Sequence, residues 1–150
     1  VLPLFKEKNM ANQTIEQNRS RMAYEKVKTV SEKDVNIQKK YKSRAKDFPA
    51  MVMTNGLLQA LSFLMSKKDD EGCKWVSEHI INWIKYAITE GWIQKPGDAY
   101  TADNMDNIAR LIEWLSSDEI DVSSYIAVTN EVLSFTPWLK RFAEGMLEGE

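Results

Sequence analysis

The sequence predicts an all-α protein: a single-domain bundle of about five or six helices around a buried central helix. Three observations carry this reading. Apolar residues recur at helical spacing through most of the chain. Four prolines and six scattered glycines leave few breaks, and no run alternates as a strand does. At 150 residues the chain is long enough for one real core and too short for two comfortable ones.

The elements follow in order. Residues 1–10 carry no pattern of their own, and Met10-Ala11 reads as an initiation site. This stretch is therefore expected to be leader or added sequence, with the domain spanning 11–150. Thr14-Ile15-Glu16-Gln17 is a capping box, in which the threonine hydroxyl accepts the Gln17 N–H while the Gln17 side chain reaches back. A helix is predicted from there to about Val30, with Ile15, Met22, Ala23, Val27 and Val30 on one face. Arg19 and Lys26 fall inside that apolar arc, so they run along the core edge or point into a groove between helices. A second helix over Val35 to Asp47 places Ile37, Tyr41, Ala45 and Phe48 in line, and Lys39, Lys40, Lys42, Arg44 and Lys46 crowd the rest of its wheel.

Phe48-Pro49 is expected to mark a boundary, because the residue before proline avoids the α region. The central helix is then predicted from Phe48 to Met65, apolar around most of its wheel. Its one polar seam is Asn55, Gln59 and Ser62, with Gly56 beside it as a point of close helix approach. It is too short, and too interrupted by amides, to span a membrane. Ser66 to Gly72 reads as a turn that Gly72 closes. A helix with Trp75, Val76, His79, Ile80, Trp83, Ile84, Ala87 and Ile88 in register follows and stops at Gly91. Trp92 to Tyr100, with Pro96-Gly97, is a loop. Thr101 or Asp103 is expected to cap the next helix, through Met105, Ile108, Leu111, Ile112 and Leu115. The last helix starts near Val122 and carries Tyr125, Val128, Val132, Phe135, Leu139, Phe142 and Met146, with Pro137 expected to kink or split it.

Catalytic chemistry finds little support. His79 is the single histidine and sits between Trp75 and Trp83, where packing explains it. Cys73, the single cysteine, excludes an internal disulfide and suits a reducing compartment. With no secretory signal pattern, a cytoplasmic protein with no membrane association is expected. No phosphate-loop, dinucleotide or nucleophile-elbow motif occurs, and Asp69, Asp70 and Glu71 lack calcium-loop spacing. No enzyme, metal or cofactor is expected.

Charge is more informative. From Lys6 to Lys46 there are twelve basic and five acidic residues, whereas the remainder holds eight basic and seventeen acidic ones. Lys39, Lys42, Arg44 and Lys46 thus offer an anion-binding track, as single-stranded nucleic acid requires. Tyr24 and Tyr41 are candidate stacking partners, though Tyr41 lies in its helix's apolar line. The competing reading is a helical protein–protein adaptor with merely solvated lysines.

Three segments, EQNRSRMAYEKVKTV, FPAMVMTNGLLQALSFLMSKK and TNEVLSFTPWLKRFAEGMLEGE, resemble the small helical subunit of type III-B CRISPR effector (Cmr) complexes. The resemblance implies a noncatalytic subunit that stacks on copies of itself beside the backbone and large subunits and contacts target RNA paired with guide RNA. Arg19 and Lys26 fall in the first matching segment and Asn55, Gly56 and Gln59 in the second. Lys140 and Arg141 of the terminal WLKRF become RNA-contact candidates, while Trp138 and Phe142 there are expected to pack. Thr136-Pro137, and Asn130 where a basic residue is common, depart from the family's pattern.

Overall fold

The computed structural model describes residues 13–94, 97 and 99–149. Pro96, in the expected Trp92–Tyr100 loop, and the expected leader lie outside the described residues. Six helices form among them: α1 (Ile15–Ser31), α2 (Val35–Asn55), α3 (Leu57–Ser66), α4 (Glu71–Thr89), α5 (Ile108–Ser116) and α6 (Val122–Met146). The protein is an all-α single-domain bundle, and no described helix is long and apolar enough to cross a membrane.

Local chemistry sets most of the starts. The Thr14 capping box forms as expected, with Gln17 N–H donating to Thr14 Oγ1 at 3.0 Å and Thr14 N–H to Gln17 Oε1 at 2.9 Å. Asp34, Asp70, Asn107 and Asp121 cap α2, α4, α5 and α6. The expected cap at Thr101 or Asp103 is therefore displaced to Asn107; Thr101 instead exchanges hydrogen bonds with Asn104 in a turn. Gly91, at φ +82°, ends the α4 region as expected.

The expected central helix is corrected in two ways. Pro49 does not break the chain, because α2 runs through it and buries Phe48 and Val52 on either side. The break comes at Gly56, whose φ of +89° and ψ of 161° suit glycine alone. Its N–H still donates to Val52 O, and its carbonyl accepts the Ala60 N–H. An added Cβ there would meet no atom within 4 Å, so Gly56 is an exposed hinge and not a close helix contact. The stretch looks apolar all round because the two helices meeting at Gly56 present different faces to the core. On α3 these are Leu57, Ala60, Leu61 and Leu64. Asn55 and Gln59 consequently sit exposed on two separate helices and form no interior seam.

The true centre is α4. It buries Gly72, Cys73, Val76, His79, Ile80, Ile81, Trp83, Ile84, Ala87 and Ile88, more than any other described helix. Gly72 lies inside its first turn and closes nothing. Trp83 is fully buried and stacks on Phe135 of α6, with ring centroids 4.9 Å apart and planes within 5°. Around α4, α6 lies between α1 and α2 and packs on both, while α1 and α2 touch each other only marginally. α6 runs as one helix through Pro137, so the expected split does not occur. Thr136 Oγ1 bonds the Val132 carbonyl at 2.8 Å in the same turn.

His79 is packed, as its spacing predicts, and shares a 2.7 Å hydrogen bond with the buried Tyr41 hydroxyl through Nδ1. Burial, with Lys26 and Lys33 nearby, pushes its pKa from 6.5 down to about 3. Between those values the unfolded chain binds a proton that the folded one refuses, so stability rises with pH. The contribution is complete above pH 6.5 and is lost as pH falls towards 3, at up to about 1.4 kcal/mol per unit. Melting temperature measured from pH 7 to 5, above the main carboxylate range, is expected to fall for the wild type and to stay nearly flat for His79→Gln. Equal slopes for the two proteins would remove His79 as the cause.

Candidate nucleic-acid interface

The basic residues of α2 divide between its two flanks. Arg44 turns to α4, where it pairs with the Asp70 carboxylate at 3.3 Å and lies over the Phe63 ring at 5.4 Å from the centroid. The hydrogen bond to Asp70 leads in raising its pKa further, so Arg44 is a fixed positive charge that ties α2 to the start of α4. Lys39, Lys42 and Lys46 share the other flank at i, i+3 and i+7, beside α6. Lys42 Nζ donates to the carbonyls of Gly149 at 2.6 Å and Leu147 at 3.4 Å. Gln38, one turn earlier, accepts the Glu148 N–H at 2.9 Å. These bonds strap the segment after α6 along α2 and set the two helices antiparallel. Lys39 and Lys46 are exposed and make no ion pair among the described residues.

The same register places Lys140. It lies seven residues before Leu147, hence on the same side of α6 and about 10 Å back along it. That is level with the Lys46–Pro49 turn of α2. Lys39, Lys42, Lys46 and Lys140 therefore line one seam between α2 and α6. Arg141 is exposed on the outer side of α6.

Arg19 and Lys26 are not on that seam, since α6 separates α1 from α2. Arg19 runs along the core edge and donates from Nε and Nη2 to the two Glu131 oxygens at 2.7 and 3.0 Å. Glu131 is buried and also accepts the Trp83 indole N–H at 2.9 Å. Lys26 is half-buried near His79 and makes no ion pair among the described residues. Sequence reasoning missed Glu131, although its position was a signal: it stands in register with Val128 and Phe135, where an acid must have a buried partner.

The candidate stacking residues fare differently. Tyr41 is core, bonded to His79. Tyr24 is 43% exposed, but its ring meets Phe142 edge-on at 5.6 Å. Trp138 stacks on Phe142 at 5.8 Å, and the three rings line an open groove of about 500 Å³ between α1 and α6 with Glu16, Gln17 and Ser20 at its rim. Cys73 is buried, and burial pushes its thiol up to about 11, which favours the protonated form at neutral pH. No group of three or more His, Cys, Asp or Glu side chains able to hold a metal occurs among the described residues.

The all-α bundle is the fold that the three matching segments imply. A family model described as CRISPR-associated protein (Cas_Cmr5) matches residues 15–146, which spans α1 to the end of α6. The chain belongs to the Cas_Cmr5 family. It is a Cmr-type CRISPR subunit, and its fold is similar to the crystal structure of a CRISPR-associated Cmr5 family protein from Thermus thermophilus. That similarity has a TM-score of 0.66 at 25% identity and covers 91% of this chain and 100% of that one. Within this Cmr5 chain the Arg19–Glu131 and Arg44–Asp70 pairs hold helices together, as Lys42 does through its carbonyl partners, which distinguishes these three from the exposed Lys39 and Lys46.

Proposed function

We propose that this Cmr5-family chain is a noncatalytic architectural subunit of a type III-B CRISPR ribonucleoprotein. It stacks on copies of itself beside the backbone and large subunits, and it contacts target RNA paired with guide RNA. The observation that carries this is the α2–α6 seam: Lys39, Lys42, Lys46 and Lys140 gather on one flank of a chain whose net charge is −2. Such a track neutralises successive phosphates without reading bases. Lys26 and Arg141 are further cations outside the seam, while Arg19 and Arg44 are offset by Glu131 and Asp70 and contribute little charge to an RNA ligand. Asn55 and Gln59, exposed either side of Gly56, are further polar contacts within reach of a partner.

The second reading, a protein-only adaptor, draws support from Met53, Val122 and Ile126, which are 73%, 76% and 51% exposed. Apolar side chains left open in this way suit a protein partner better than a phosphate chain.

The test is Lys39→Glu with Lys46→Glu, because neither side chain makes an ion pair among the described residues. RNA affinity of the assembled complex is expected to fall for all sequences alike. The log–log salt dependence is expected to become shallower by about 1.4 to 1.8, at roughly 0.7 per lost phosphate of a single strand and 0.9 of a duplex. The melting temperature of the free subunit should barely move. Unchanged RNA affinity accompanied by failed assembly would make the flank a protein-docking face and leave the adaptor reading standing.

A further inference from the structure

The phosphate track described above contains no aromatic face: Tyr41 is buried and bonded to His79, and Tyr24 lies on α1 with its ring edge-on to Phe142. We propose that Trp75 supplies one: a stacking platform for an unpaired base of single-stranded RNA, with Lys33 and Lys74 taking the adjoining phosphates. This rests on the reading that the chain contacts RNA, and adds a contact away from the lysine seam.

The site lies where α1 and α4 run antiparallel. Asn18 of α1 meets Tyr86 of α4 at one end, and Lys33, just past α1, meets Trp75 at the other. The Trp75 ring is half-buried, anchored against His79 with centroids 6.2 Å apart. Lys33 Nζ sits 3.9 Å from the Trp75 ring centroid and Lys74 Nζ 5.2 Å from it. Among the described residues, the one carboxylate that pairs with either ammonium is Glu71, 3.9 Å from Lys74, in a pair whose side chains are 57% and 38% exposed. The indole Nε1–H is shielded from solvent and finds no acceptor among the described residues, so what the ring offers a ligand is its face.

An aromatic face flanked by two ammonium groups is complementary to a nucleotide, which has a flat π surface and an anion on one unit. The base takes the position over the ring that the Lys33 ammonium holds, and the displaced ammonium moves to the phosphate. An acidic peptide would use the lysines but would gain nothing from the ring, so the indole favours RNA.

The experiment titrates the free full-length subunit with a short single-stranded oligoadenylate, following tryptophan fluorescence. Binding is expected to quench it. Trp75→Leu should lose the quench and about tenfold in affinity, a typical effect for one base–aromatic stack. Its salt slope should stay unchanged, since no phosphate contact is removed. Lys33→Gln and Lys74→Gln should each make the slope shallower by about 0.7, an answer that survives if Trp75→Leu melts early. Wild-type affinity and quench in Trp75→Leu would overturn the platform; if Lys39→Glu with Lys46→Glu still weakens binding, the phosphate seam stands without it. A wild-type protein that binds no RNA at any salt overturns both. Normal RNA binding by Trp75→Leu with lost association to another protein copy would make the indole a protein contact and likewise overturn the proposal.

Discussion

Gly72→Ala is expected to lower the melting temperature by roughly 10 °C, or about 3 kcal/mol for a chain of this size. Gly72 is buried in the first turn of α4, against the backbone of α2. An added Cβ would lie on the Lys40 carbonyl and 2.9 Å from the Tyr41 nitrogen. A flexible side chain would yield to such an intrusion, but a helical backbone held by the Tyr41–His79 bond and the Arg44–Asp70 pair cannot do so cheaply. Alanine is normally favoured over glycine in a helix by up to about 1 kcal/mol, so the overlap must overcome a gain as well as impose a cost. Gly145→Ala provides the contrast. It is exposed in α6 with no atom within 4 Å of an added Cβ, and the same exchange there is expected to be neutral or slightly stabilising. The comparison needs only two melting curves. A Gly72→Ala protein that melts at or above the wild type would mean that α4 does not approach α2 this closely.

Glu131→Leu is expected to cost about 3 kcal/mol, at the lower end of the range for removing one member of a buried ion pair. The lower end is appropriate because Arg19, at 20% side-chain exposure, retains some contact with water. The Trp83 indole N–H has no such outlet and loses its acceptor. Glu131→Gln keeps an oxygen for Trp83 and is expected to cost roughly 1 kcal/mol, the worth of exchanging a charged for a neutral acceptor. Arg19→Met with Glu131→Leu should be less destabilised than the sum of the two single changes, because each single variant strands the other's partner. Chemical denaturation of the four proteins supplies the cycle, and strict additivity would show that the two side chains do not act as a pair.

Much of the fold is legible in the sequence because helix period and capping are local. The Thr14 box, the Ile37 to Phe48 apolar line and the α4 register all depend on residues within a few positions of one another. Pro49 misleads because the penalty on its neighbour is small beside the burial of Phe48 and Val52, which keeps α2 continuous. Gly56 misleads for the converse reason: its cost inside a helix suggests a packing role, while a positive φ, invisible in a single sequence, is the actual need. At the candidate site the cations are legible as a block. Their allocation is not, since Arg19 finds its carboxylate 112 residues away and Lys42 its carbonyl 107 residues away. The path of α6 decides this for Arg19 and Lys42, and the approach of α4 to α2 decides it for Arg44.

That path also sets an order of events during synthesis. The helix that lies between α1 and α2 is the last of the six to be made, so each of those two emerges with its apolar face waiting for a partner. The packing of α2 on α4 needs no part of α6, but the faces of α1 and α2 that α6 covers cannot close until residues beyond Leu139 are available, and the α1–α6 contacts then formed span most of the chain. Long sequence separation of this kind slows folding relative to an up-and-down bundle of equal size. It also prolongs the interval in which the unpaired faces can associate wrongly. Folding is thus expected to be completed after most of the chain has been made, with α6 entering last as a single wedge.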